Sequence, residues 1–179
     1  MSTQIETPSL ATLEYLPYLD AAGYIDEGFQ GKIGVYAIFN REQEMQYVGY
    51  SRDVYLSLKQ HLIRQPDKCY WVKVQTITRP SRTILNEIAT SWIEENGIAP
   101  PGNSADKGVW TEPIDANPAM TAEEKAQYQQ SEELKQIKIR KAVARRVEAE
   151  ILEQLSDRGV NMDIRFNPKL KEKGLLDLK

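Results

Sequence analysis

Between Leu134 and Val147 the chain carries six lysines and arginines and no acid. At 100° per residue on a helix, Lys135, Lys138, Lys141, Arg145 and Arg146 collect on one face. Such a face can meet the phosphates of DNA or RNA or another anionic partner, or it can simply be solvated, because acids return at Glu148, Glu150 and Glu153. Other reactive residue types are sparse. The one histidine, His61, has no local carboxylate pattern and makes a poor metal site alone. The one cysteine, Cys69, rules out an internal disulfide and Cys-rich zinc sites. It reads as a small apolar filler, and acts as a thiol only where exposure and a lowered pKa allow it. Trp71, Trp92 and Trp110 could stack on bases, but they fall at strand and helix core positions and read as packing. Two tyrosines are set apart by spacing: Gly34-Val35-Tyr36 precedes Tyr47-Val48-Gly49, with eleven residues from one tyrosine to the next.

The elements that position these residues follow from periodicity. Ile33, Val35, Ala37 and Phe39 alternate with Gly34, Tyr36 and Ile38, and a second short strand is expected over Met45–Gly49. The polar stretch Asn40–Glu44 joins them as a hairpin. After Gly49, Ser51 or Asp53 can cap a helix whose apolar positions Val54, Leu58 and Leu62 recur at i, i+4, i+8. Tyr70–Ile77 reads as a third strand. A second helix opens at Pro80-Ser81, buries Ile84, Leu85, Ile88, Ala89 and Trp92, and ends at Gly97 in a left-handed cap. Residues 1–30 read as an irregular arm with covering tyrosines, and the Pro/Gly/Asn-rich stretch up to Met120, with 111–120 as linker, as the end of the domain. Thr121 and Glu124 form a capping-box pattern, and no Gly or Pro follows until Gly159. This predicts one helix of about 36 residues, ~50 Å at ~1.5 Å per residue. Its apolar side is Ile137, Val143, Ala144, Val147, Ile151 and Leu155, a stripe through which copies could pair, and the tail after Gly159 is placed to fold back.

The two tyrosine triplets, with His61 in the helix that follows, resemble a GIY-YIG domain. The strings YVGYSRDV, PDKCYWVKV and WIEENGIAPPGN narrow the likeness to the type fused to plant plastid CGFS monothiol glutaredoxins and found alone in cyanobacteria. The resemblance covers roughly residues 31–110. It implies an α+β (mixed α/β) fold, with a three-stranded antiparallel sheet flanked by two helices and, here, the long C-terminal helix over 121–179. It also implies phosphodiester hydrolysis with one divalent metal, Mg²⁺ or Mn²⁺. In that likeness Tyr36 and Tyr47 lie near the attacking water and the phosphate, His61 matches the polar helix residue, and Asn103 matches the late asparagine. Two positions depart from it: the arginine falls on Ser57, and the metal-holding glutamate falls on Ala89. A serine cannot replace a fixed cation and an alanine cannot ligate a metal, so Arg52, Arg64 or, for the metal, Glu87 would have to substitute from a rearranged site.

The expected function is accordingly a degenerate GIY-YIG protein that binds nucleic acid or a protein partner without efficient cleavage. The alternatives are a working endonuclease with Glu87 as relocated ligand, or an accessory protein exchanging thiols with a glutaredoxin through Cys69. Charge bears on the choice. The first 120 residues hold 10 Lys/Arg against 15 Asp/Glu and the rest 13 against 11, which weighs against tight duplex binding by the nuclease-like part. No apolar run approaches the roughly 20 residues needed to span a bilayer, and no secretory leader is apparent. A soluble protein is therefore expected, and the resemblance implies a cyanobacterial-like cytoplasm or a plastid stroma.

Overall fold

The computed structural model describes residues 7–179. The chain divides into two compact units, one ending at Thr111 and the other running from Glu112 to Lys179. Both mix helix and strand, and the class is α+β.

In the first unit, β2 (Ile33–Phe39) and β3 (Met45–Ser51) form the expected hairpin, and β4 (Trp71–Ile77) pairs antiparallel on the other side of β2. The turn is set by Asn40, whose side-chain Oδ1 accepts the Glu44 N–H at 2.9 Å, with Gln43 at positive φ. A bulge between Ile38 and Phe39 makes Gln46 the extra residue, so that Met45 faces Phe39 while Tyr47 faces Ile38. The sheet has four strands rather than three. The arm supplies β1 (Leu16–Pro17) on the outer edge of β4, giving the order β1-β4-β2-β3. Proline is tolerated there because an edge strand leaves one row of N–H groups unused.

Strand alternation divides the side chains between two faces. Val35, Ala37 and Phe39 meet Leu85, Ile88, Ala89 and Trp92 of α2 (Arg82–Asn96) in one apolar cluster. Ser81 caps α2 by accepting the Ile84 N–H, and Gly97 ends it at φ 84°, both as read from the sequence. Tyr36 points the other way, towards α1 (Val54–Arg64), where Asp53 is the cap, its side chain accepting the Leu56 N–H. The arm is tied down by charge. Glu95 accepts from Ser9 Oγ at 2.6 Å and from the backbone N–H groups of Leu10 and Ala11, and Lys73 Nζ donates to Leu10 O at 3.0 Å. Tyr18, expected as cover, is instead fully buried, its hydroxyl donating to Leu58 O. A short α3 (Lys107–Thr111) closes this unit and buries Trp110.

The second unit corrects two expectations. Residues 111–120 are not a bare linker: β5 (Ile114–Asp115) pairs with β6 (Leu175–Leu176), and a 3₁₀ turn follows at Asn117–Ala119. The long helix is two helices, α4 (Ala122–Gln130) and α5 (Glu133–Asp157), separated by extended backbone at Ser131 and Glu132. In an unbroken helix Glu124 and Arg146 would lie ~33 Å apart at ~1.5 Å per residue. Here Arg146 Nη2 reaches Glu124 Oε1 at 2.7 Å and Ala119 O at 2.9 Å. This ion pair, first through the hydrogen bond from Arg146, holds the Glu124 carboxyl down at about 2. α4 buries no residue even so; polar contacts hold it to α5, those of Arg146 together with Gln136 Nε2 donating to Tyr128 O at 2.9 Å. The capping box at Thr121 forms as expected.

On α5 the buried residues are Ile139, Val143, Ala144, Ile151 and Leu155, with Ile137 and Val147 only half-buried. That stripe is already covered within a single chain and leaves little apolar surface for pairing copies. The tail does fold back, through α6 (Pro168–Lys171) and a bridge from Phe166 to Leu178.

Candidate functional site

Tyr36 and Gly49 are direct partners across β2 and β3, and Tyr47 is the diagonal neighbour on the same face. The glycine is what lets the tyrosines converge. A Cβ at Gly49 would stand 2.6 Å from Tyr47 Cε1 and 2.8 Å from Tyr36 Oη. With that space free, the two rings lie 6.1 Å apart, and His61 packs 4.6 Å from Tyr47. Tyr36 Oη and His61 Nε2 are hydrogen-bonded at 2.9 Å. The structure thus brings together three of the four family-motif positions.

Ser57, His61 and Arg64 recur at i, i+4 and i+7 on α1, the spacing of one helical stripe. Ser57, which stands where the resemblance expects arginine, touches Tyr36, and the field of Arg64 reaches Tyr36, Tyr47 and His61. Arg64 is therefore the cation of this cluster, two turns later than the spacing implied. Arg52 lies exposed outside it.

A lid closes the arrangement. Trp110 stacks on Tyr47 at 5.5 Å and 6°, and its carbonyl accepts Arg64 Nη1 at 3.0 Å. Tyr36, His61 and Trp110 are all buried. Burial first, then the nearby Tyr47 for Tyr36, pushes the proton affinity of Tyr36 far above the ordinary tyrosine range, and burial raises Tyr47 against the pull of Arg64. Both stay protonated at neutral pH and are poor proton acceptors. Burial, then Arg64, lowers His61 to about 3; the Trp110 carbonyl opposes this without closing a hydrogen bond to Nδ1. The imidazole is neutral and can take a hydrogen bond from Tyr36. Trp110 lay in a stretch too rich in Gly and Pro to carry a periodic signal, whereas Arg64 was legible from its helical spacing.

Asn103 has another role than contact with a reacting group. Its Oδ1 accepts the Val48 N–H and its Nδ2 donates to Val48 O, both at 2.8 Å, so the carboxamide continues the sheet beyond the outer edge of β3. Asn103→Ala should cost about 1–2 kcal/mol of stability for two half-buried hydrogen bonds. Asn103→Asp should cost at least as much, since a carboxylate cannot donate to Val48 O. Thermal denaturation of the two variants beside wild type checks both.

The residues present do not fit a divalent ion beside the tyrosines. Mg²⁺ and Mn²⁺ require oxygen ligands, chiefly carboxylates. Ala89 packs in the apolar cluster on the other face of the sheet from Tyr36, and Glu87 is exposed on that same helix. Among the described residues no three His, Cys, Asp or Glu side chains converge as a metal site.

Cys69 is fully buried, with Sγ 3.7 Å from His61 O. This overturns the thiol-exchange reading, since a thiol with no surface cannot meet a disulfide partner. The basic face of α5 is also smaller than the sequence implied. Arg146 is paired with Glu124, Lys141 lies 3.6 Å from Glu172, and Arg140 covers the ring of Tyr128. Lys135, Lys138 and Arg145 remain exposed without an ion pair among the described residues.

Among known proteins, this chain is 35% identical over 101 aligned positions, which cover 54% of it, to the bifunctional monothiol glutaredoxin-S16, chloroplastic, of Arabidopsis thaliana. The chain spans about a third of the length of that relative, 33%. No protein-family model matches the chain. Among the described residues no helix is long and apolar enough to cross a membrane.

Proposed function

We propose that the first unit is a GIY-YIG-type domain that has kept the tyrosine pair as a structural centre and works by binding a partner, without efficient metal-dependent cleavage. The observation that carries this reading is the placement of Ala89. The position that should hold a metal is an apolar core residue, with the sheet between it and Tyr36. Closure by Trp110 and the protonated state of both tyrosines support the same reading. The partial likeness to a bifunctional, chloroplastic monothiol glutaredoxin supports an accessory role beside a glutaredoxin-type protein in a plastid.

The test is nicking of supercoiled plasmid with Mg²⁺ or Mn²⁺ by wild type, Tyr47→Phe and Glu87→Ala. The expected result is no metal-dependent cleavage, or a trace that all three share. Cleavage that requires metal and vanishes in both variants overturns the proposal.

A second reading, residual endonuclease activity on DNA or RNA, is favoured by one observation, the Arg64 guanidinium beside Tyr36 and Tyr47. Arg64→Gln separates it: a trace of cleavage lost in that variant belongs to this site.

A further inference from the structure

The arm forms a cavity of about 560 Å³ that takes in the outermost strand of the sheet. Its apolar lining is graded: Ile25 is fully buried and Phe29 half-buried, while Leu16 and Tyr24 stand exposed. Three exposed carboxylates, Asp20, Asp26 and Glu27, share the lining, and no lysine, arginine or histidine does. Two of them fix the wall: Asp20 Oδ1 accepts the Ala22 and Tyr24 N–H groups at 2.9 and 3.0 Å, and Asp26 Oδ1 accepts the Gly28 N–H at 2.8 Å. None of the three forms an ion pair among the described residues. The imbalance reaches beyond the cavity, since from Thr7 to Gln30 the chain holds four acids, Glu14 being the fourth, and no basic residue. An apolar hollow ringed by unneutralised carboxylates complements an apolar group flanked by positive charge. It repels nucleic acid, and a divalent ion does not fit, because among the described residues no three such side chains converge. The sheet edge adds a direction. β1 ends the order β1-β4-β2-β3, with Leu16 opposite Val72 and the Tyr18 N–H donating to Tyr70 O at 2.9 Å, so antiparallel alternation turns the Pro17 carbonyl away from β4. Proline has no N–H to set beside that carbonyl. The edge therefore accepts a hydrogen bond from an extended segment without building a full ladder, and recognition rests on side chains.

We propose that this cavity and the β1 edge dock an extended segment of a partner protein. One aliphatic or aromatic side chain of the segment enters between Leu16, Tyr24 and Ile25, and lysines or arginines next to it meet Asp20, Asp26 and Glu27. This rests on the reading of the first unit as a partner-binding domain and supplies the chemistry of the partner, which is basic and apolar and extended at the point of contact. The docking surface is separate from Tyr36, Tyr47 and Trp110, none of which lines it.

The experiment selects a random nonapeptide library, displayed on phage, against the immobilised full chain, and then measures the enriched peptides by fluorescence polarisation. The expected result is a class of sequences with an aliphatic or aromatic residue beside lysine or arginine, bound more weakly as sodium chloride is raised. Glu27→Lys removes one attraction and adds one repulsion, and should weaken binding about tenfold; Leu16→Ser should weaken it about fivefold. Both positions are exposed, and thermal denaturation checks that the variants keep the fold. No enriched class, enrichment of acidic or uncharged peptides, or binding that both variants retain overturns the site. So does self-association of the wild type in sedimentation that Glu27→Lys abolishes, which assigns the groove to a second copy of the chain. Peptide binding is read without plasmid, so its failure leaves the reading of the tyrosine cluster standing, whereas metal-dependent cleavage overturns that reading whatever the peptides do.

Discussion

Ala89→Glu, which restores the residue type that holds the metal in the family resembled, is expected to destabilise the protein and to bring no cleavage. Ala89 lies among Val35, Ala37, Phe39, Val48, Leu85 and Trp92. A carboxylate placed there has no cation within the cluster to pair with, so the least costly folded form carries it protonated. For an ordinary glutamate at pH 7 that costs about 4 kcal/mol, and fitting the larger side chain adds about 1–3 kcal/mol. Domains of this size are stable by only about 5–15 kcal/mol, so a large fraction of the fold's stability is at stake. Ala89→Gln has the same volume without the ionisation, and should therefore be more stable than Ala89→Glu by roughly 3 kcal/mol at neutral pH. The gap should narrow to about 1 kcal/mol by pH 5, because the ionised form that the unfolded chain favours at pH 7 loses most of its advantage as the pH nears the ordinary glutamate value. Chemical denaturation of both variants at pH 7 and pH 5 measures it. An Ala89→Glu protein as stable as wild type that cleaves plasmid with Mg²⁺ would mean that the position faces the tyrosines after all.

Why position-by-position spacing misleads here is a matter of sheet parity. Spacing along α2 places the expected ligand on Ala89, but only the alternation of β2 decides which face of the sheet α2 covers, and that face carries Val35 and Ala37, not Tyr36. The strands, both caps and the left-handed Gly97 were legible because each is written locally, in alternation, in a side-chain oxygen before a helix, or in a glycine after one. The strand at Leu16–Pro17 was not, since two residues carry no period and a proline argues against pairing. Nor was the break at Ser131-Glu132. No glycine or proline marks it, and what favours it is the ion pair between Glu124 and Arg146, a contact across 22 positions. The basic stripe was read correctly as a helical face, but sequence could not show that α4 and α6 would bring acids to it. Arg64 was legible as a substitute cation because it shares a helical stripe with Ser57 and His61, whereas Arg52, the other candidate, lies outside that stripe and outside the cluster.

His61 makes the tyrosine cluster measurable. As the only histidine of the chain it gives one set of imidazole resonances, and these should not titrate between pH 8 and pH 4.5, because burial and Arg64 hold the folded-state value at about 3. In the unfolded chain the same group titrates near 6.5. Between these values the unfolded state binds more protons than the folded one, so stability is complete above about pH 6.5 and is lost as the pH falls towards 3. The loss between pH 7.5 and pH 5 should be on the order of 2 kcal/mol, growing to roughly 4–5 kcal/mol near pH 3. Glu124 and Glu95, both lowered by hydrogen bonds in the folded protein, lose their own contributions only as the pH falls below the ordinary carboxylate range. The interval from pH 6.5 to pH 5 therefore belongs to the imidazole. His61→Gln keeps a polar partner for Tyr36 Oη and cannot take up a proton, so its denaturation midpoint should stay flat across that interval while the wild-type midpoint falls. A wild-type imidazole that titrates near 6.5, or a variant with the same pH dependence as wild type, would mean that Trp110 leaves the cluster open to water in solution. The tyrosines would then regain access to an outside ligand, and the closure that supports the absence of cleavage would be gone, leaving the placement of Ala89 to carry that reading alone.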